Sequence, residues 1–136
     1  MTEDLGFLLA RTSGMVVRAA NGALEPHRLR ARHLTLMRLV DRAALSQREI
    51  STNLGLDPSN VVNLIDELEA AKLISRSPDP RDRRTRLIAL TESGRAHLAG
   101  AQDAAIQATN ETIGALSAPE RRQLIALLAK IVTTGA

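Results

Sequence analysis

Two groups of side chains in the middle of this 136-residue chain have types and spacing suited to recognising a polyanion. The first is Ser59, Asn60 and Asn63, which follow directly on Leu56-Asp57-Pro58. On a helix that starts at Pro58 they fall on the first two turns, off the apolar stripe of Val61, Leu64, Ile65 and Leu68. An asparagine amide matches the N6 and N7 edge of adenine, and a serine hydroxyl bonds several base edges or a phosphate. As bare residues they also suit any solvent-facing helix start. The second group is an arginine-dense turn. Arg76, Arg81, Arg83, Arg84 and Arg86 stand against Asp79 and Asp82. Arginine suits a narrow minor groove, where negative potential is deepest. Arg83 and Arg84 are the candidates for that role, Arg81 and Arg86 for phosphate contacts, and Arg76 for supporting a strand. A third group, Ser46, Gln47 and Arg48, opens a short helix whose first amides favour a phosphate. Gln47 and Arg48 are candidate backbone contacts, whereas capping alone accounts for Ser46. Arg28, Arg30 and Arg32 read equally as a phosphate clamp or a solvated cluster.

Composition removes many other chemistries. No cysteine is present, so disulfides, thiolate nucleophiles and cysteine-bound zinc are excluded. Phe7 is the only aromatic residue, which argues against base stacking on rings. His27, His33 and His97 lack metal-ligand spacing, and no glycine-rich phosphate loop or serine-histidine pairing is visible. No catalytic residue, metal or cofactor is therefore expected, and the chain is not read as an enzyme. The apolar runs fall far short of the roughly 20 residues of a membrane span. The first residues are acidic before an apolar stretch, unlike a secretory leader, so a cytoplasmic protein is expected. The net charge of +3 is small but focused. Residues 1–28, 29–72 and 91–136 each balance, so the whole excess lies in residues 73–90.

The elements that must position these groups follow from periodicity and capping. Residues 4–24 repeat apolar positions at helical spacing, with Pro26 near the end. A second helix spans about Ala31 to Ala44. Ser46 and Glu49 form a capping box for a short helix that ends at Gly55. Asp57 caps the next helix, with Pro58 at its first position. A strand starts at Leu73-Ile74. Pro78-Asp79-Pro80 begins a turn, since proline is unsuited to a central strand. Arg86 to Leu90 returns, with Leu87 and Leu90, or Ile88, facing inward. Thr91 caps a long helix to about Ala115, with Leu98, Ala105, Ile106 and Ile113 inside. Ser117 and Glu120 box a last helix carrying Leu124, Ile125, Leu127, Leu128, Ile131 and Val132. The layout is mainly α (α+β): a winged helix-turn-helix over residues 29–90, flanked by terminal helices in 1–28 and 91–136. The simplest arrangement packs the first and last helices together and then against a second subunit. A two-fold dimer of this kind sets two reading helices one DNA turn, roughly 34 Å, apart.

With these residues in place, the chain resembles the multiple antibiotic resistance regulator (MarR) family. The resemblance covers nearly the whole sequence and is strongest from Ser46 to Leu98. It rests on Leu56-Asp57-Pro58-Ser59, Leu68-Glu69, Asp82-Arg83-Arg84 and Leu90-Thr91-Glu92-Ser93-Gly94, in that order and spacing. It implies a homodimer on a pseudo-palindromic operator, usually as a repressor. It further implies a small anionic or phenolic ligand, bound between the dimer helices and the DNA-binding lobe, that releases the DNA. The family's wing pair falls on Asp82 and Arg84, the aspartate orienting the arginine through a bidentate pair. The family's pocket would be lined here by Met15, His33 and Leu36, although His33 reads more readily as a partly buried packing histidine. Two departures stand out. Lys72 occupies the usual glycine position after the reading helix, which predicts a reshaped turn. The helix also lacks a central arginine, and Asp66 and Glu67 follow Val62 and Asn63, so its first turn must do the reading.

The expectation is a sequence-specific, double-stranded-DNA-binding transcription regulator, a homodimeric repressor released by a ligand. The alternative, motivated by the acidic reading helix and small net charge, is a winged-helix protein-interaction module with weak or no DNA binding.

Overall fold

The computed structural model describes residues 3–135. Helix α1, Leu5–Leu24, opens where the Asp4 carboxylate accepts the Gly6 and Phe7 amides. Pro26 lies in a single 3-10 turn, Glu25–His27, that ends at Arg28 with φ 57°. Helix α2, Ala31–Arg42, stops short of the expected Ala44, because Ala43 is extended and leads into a two-residue strand β1, Leu45–Ser46. So short a strand carries no readable alternation. Helix α3, Gln47–Leu54, has the reciprocal capping box: Ser46 Oγ accepts the Glu49 amide at 3.1 Å, and Glu49 Oε1 accepts the Ser46 amide at 3.1 Å. Gly55, at φ 64°, closes it.

Helix α4, Pro58–Ala70, starts where expected, but not for the expected reason. Asp57 holds the cap position, yet its side chain makes no capping hydrogen bond. The extended backbone that a residue takes before proline, and the fixed φ of Pro58, set the start instead. Strands β2, Ile74–Asp79, and β3, Asp82–Leu90, form an antiparallel hairpin, and the sheet order is β1-β3-β2. Both strands are longer than expected. Pro78 and Asp79 belong to β2, which an edge strand permits because one side of its ladder is unpaired. The register shifts there, and the turn is Pro80-Arg81. On β3, Ile88 and Leu90 face inward while Leu87 is only half-buried.

Helices α5, Glu92–Thr112, and α6, Ala118–Thr134, complete the chain. The Ser117–Glu120 box caps α6, and the Ser117 amide holds the Glu120 carboxyl below its ordinary range. Helix α2 lies at the centre, packing on α1, α3, α4, α5 and β3. Leu36, Met37, Ile50, Val61, Ile65, Leu68 and Ile88 form the sealed heart of the core. Two packing expectations are corrected. Ile106 is 46% exposed; Leu98, Ala101 and Ala105 supply the buried side of α5. Within the chain α1 packs along α5, not α6, and α6 buries no residue at all.

Candidate nucleic-acid interface

The reading helix α4 is seated by four core residues, Val61, Leu64, Ile65 and Leu68. That leaves Ser59, Asn60 and Asn63 exposed on its outer side, with no side-chain hydrogen bond among the described residues. Its far end is fixed by a left-handed cap. The Leu73 amide bonds the Leu68 carbonyl at 3.0 Å, and the Lys72 amide bonds Glu69 at 2.9 Å. This is the six-to-one and five-to-two pattern of a Schellman motif, with Leu73 and Leu68 buried together beneath it. Lys72 takes φ 63° in place of glycine, so the turn is not reshaped; the lysine bears the strain. Thr91 ties the same turn to α5, donating to the Lys72 carbonyl at 2.7 Å and accepting the Gly94 amide at 2.9 Å. A Cβ on Gly94 would stand 2.0 Å from the Leu73 carbonyl oxygen, which explains the glycine in the Leu-Thr-x-x-Gly pattern.

Between α3, α4 and the wing lies an open cleft of about 770 Å³. Gln47 and Arg48 border it from α3, Val62 and Asp66 from α4, and Arg84 and Arg86 from β3. Arg81 and Arg83 stand exposed at and beside the tip of the wing. Asp82 does not form the expected ion pair with Arg84. Its Oδ1 accepts the Arg84 amide at 3.1 Å and its Oδ2 the Thr85 hydroxyl at 3.2 Å. The carboxylate is thus committed to the wing backbone, and orients Arg84 by fixing its main chain. Asp79 does the same at the turn, accepting the Arg81 amide at 2.9 Å.

The acidic end of α4 is answered from behind. Arg76 reaches Asp66 at 2.7 Å and Glu69 at 3.2 Å. His33, 8% exposed, bonds Glu67 through Nε2 at 2.5 Å. Its Nδ1 accepts the Arg30 amide at 3.0 Å, so the neutral ring carries its proton on Nε2, facing the carboxylate. These partners were missed in the sequence. Thr85, three residues after Asp82, and His33, three after Arg30, follow the spacing of side-chain-to-backbone turns. The Arg76 and His33 pairings to α4 had no local signal.

The expected pocket trio does not converge. Leu36 is fully enclosed by core residues, so a ligand does not reach it. Met15 is 39% exposed on α1, outside the two cavities that His33 lines. His33 alone borders open space, in cavities of about 300 and 610 Å³.

A polar helix face beside an arginine-rich hairpin, both carried on a small three-stranded sheet, defines a winged helix-turn-helix DNA-binding transcription regulator. The chain belongs to the MarR family: the family model matches residues 30–85, from the start of α2 into the wing. Over 133 residues it is 32% identical to the HTH-type transcriptional repressor NicR of Pseudomonas putida KT2440, covering 97% of this chain and 84% of that protein. It is similar to CouR of Rhodococcus jostii RHA1, solved bound to p-coumaroyl-CoA, with 37% identity and a TM-score of 0.85 over 98% of this chain and 94% of that one. It is also similar to a transcriptional repressor CouR bound to a 23-mer DNA duplex, at 31% identity and TM-score 0.87, covering 96% and 93%. No helix among the described residues is long and apolar enough to cross a membrane.

Proposed function

We propose that the protein acts as a homodimer on a pseudo-palindromic duplex operator, represses transcription there, and is released by a small anionic or phenolic ligand. Ser59, Asn60 and Asn63 read base edges in the major groove. Arg84, helped by Arg83, enters the minor groove, with Asp82 fixing the wing backbone. Gln47, Arg48, Arg81 and Arg86 hold phosphates. The observation that carries this reading is the cleft where Gln47 and Arg48 of α3, Val62 and Asp66 of α4 and Arg84 and Arg86 of the wing meet, with Ser59, Asn60 and Asn63 exposed on α4 outside its lining. The DNA-bound repressor and the named repressor relative support it. The alternative of a protein-interaction module rested on an acidic reading helix and a small net charge. It loses force because Asp66, Glu67 and Glu69 are all engaged by Arg76 or His33.

Selection from randomised duplexes tests the assignment of the reading helix. The wild-type protein should enrich a two-fold symmetric site, and Asn63→Ala should relax preference at one base pair per half-site with little change in overall affinity. A uniform loss over unrelated sequences would make Asn63 a backbone contact instead.

A further inference from the structure

The reading helix has arginines on both flanks, from the wing on one side and from the start of α2 on the other. At about 100° per residue, the outer side of α4 runs from Val62 and Asp66, through Ser59 and Asn63, to Asn60 and Glu67. Val62 and Asp66 border the wing cleft. Glu67 and Leu64 border a cavity of about 300 Å³ whose other wall includes Arg30, Ala31, Arg32 and His33. Arg32 also shares a small open cleft with Leu54 and Leu56, at the turn that leads from α3 into α4. It therefore adjoins both the turn that begins the reading helix and the flank of the helix itself. Arg28 adjoins neither, for its cavity holds Glu25 and no residue of α3 or α4. The start of α2 is pinned on two sides. Asn21 of α1 accepts the Ala31 amide at 2.7 Å, His33 accepts the Arg30 amide at 3.0 Å, and the same ring is bonded to Glu67 of α4. Arg30 and Arg32 are exposed, and neither has an ion-pair partner among the described residues. Glu67, the acid on this flank, is taken by His33.

A major groove about 12 Å wide admits one helix, so the phosphates of both strands run along that helix's flanks. The wing and α3 supply cations to one strand. We propose, resting on the duplex-binding reading above, that Arg32 holds a backbone phosphate of the other strand, across the groove from the wing, with Arg30 adding charge beside it. The reading helix is then clasped from both sides. Such a contact fixes register and adds affinity but carries no sequence information. Because the arginines ride on the pinned start of α2, the His33–Glu67 bond sets the spacing between this clamp and the bases that α4 reads.

The test uses the whole protein and the operator recovered by the selection above, in fluorescence anisotropy over a salt series. Arg32→Ala should weaken binding to operator and to scrambled duplex by the same factor, and reduce the salt slope by about 1. Its melting temperature should match the wild type, since an exposed side chain is removed. Arg28→Ala removes the same charge away from α4 and should change the slope far less. Uncharged methylphosphonates, placed one at a time through a half-site, then locate the contact. On the wild type two runs of positions should weaken binding, one on each side of the read groove. In Arg32→Ala the run across from the wing should fall silent, whereas in Arg81→Ala it should persist. A wild-type slope in Arg32→Ala would overturn the proposal, as would an equal loss in Arg28→Ala or a methylphosphonate profile that Arg32→Ala leaves unchanged. Any of these, with selective binding by the wild type, leaves the duplex reading standing. A wild-type protein that prefers no duplex would refute that reading and this contact with it.

Discussion

Arg84 has no acidic partner among the described residues, and Asp82, two residues before it, is occupied by an amide and a hydroxyl of the wing itself. Its guanidinium therefore keeps all its donors for a ligand, while its main chain is held in place. Arg84→Ala should weaken operator binding by about 1 kcal/mol or more and reduce the salt slope by about 1. Its melting temperature should stay at the wild-type value, since an exposed side chain is removed. Wild-type affinity in fluorescence anisotropy would rule out minor-groove insertion by this residue. The residue types at the wing and on α4 were legible because arginine clusters and exposed asparagines announce themselves. How Asp82 acts was not, because a carboxylate two residues from an arginine can pair with its side chain or cap its backbone, and the sequence is the same in both cases.

At the scale of elements, α4 ends in a motif that demands a left-handed residue, and this chain supplies a lysine. A non-glycine residue in that conformation costs about 1 kcal/mol. Lys72→Gly should therefore stabilise the fold, by up to about 1 kcal/mol after the entropy of a more flexible unfolded chain is subtracted. The check is a higher denaturant midpoint at unchanged slope; a lower midpoint would mean that the lysine side chain contributes more than its backbone loses. The capping boxes at Ser46 and Ser117 could be read directly, because each lies within four residues of chain. Strand β1 and the extension of β2 through Pro78 could not. One exists only through its pairing with Leu87 and Ile88, and the other is allowed only by its place at the sheet edge. The need for Gly94 is of the same kind, set by a carbonyl at residue 73.

The whole molecule leaves an apolar surface that one chain does not cover. On α6, Leu127 is 54%, Ile131 60% and Val132 76% exposed, and Leu5 on α1 is 69% exposed. Patches of this kind mark an association surface, and a two-fold assembly uses the same surface on both partners. The amphipathic pattern of the terminal helices was visible in the sequence. Their partners were not, since α1 lies on α5 and α6 buries none of its residues against its own chain. Replacing both Leu127 and Ile131 by Asp should shift the protein to monomer in analytical ultracentrifugation. Operator affinity should fall by far more than for any single wing substitution, because one half-site is lost. A dimer that persists would place the interface elsewhere.

The central claim is that this face binds duplex DNA by sequence and charge together. It is tested most directly by fluorescence anisotropy of the purified protein on duplex from its own upstream region, against a scrambled duplex, over a salt series. The account predicts selective binding whose affinity falls steeply as salt rises, as counterions released from several phosphates require. Equal binding to both duplexes, or an affinity indifferent to salt, would contradict it.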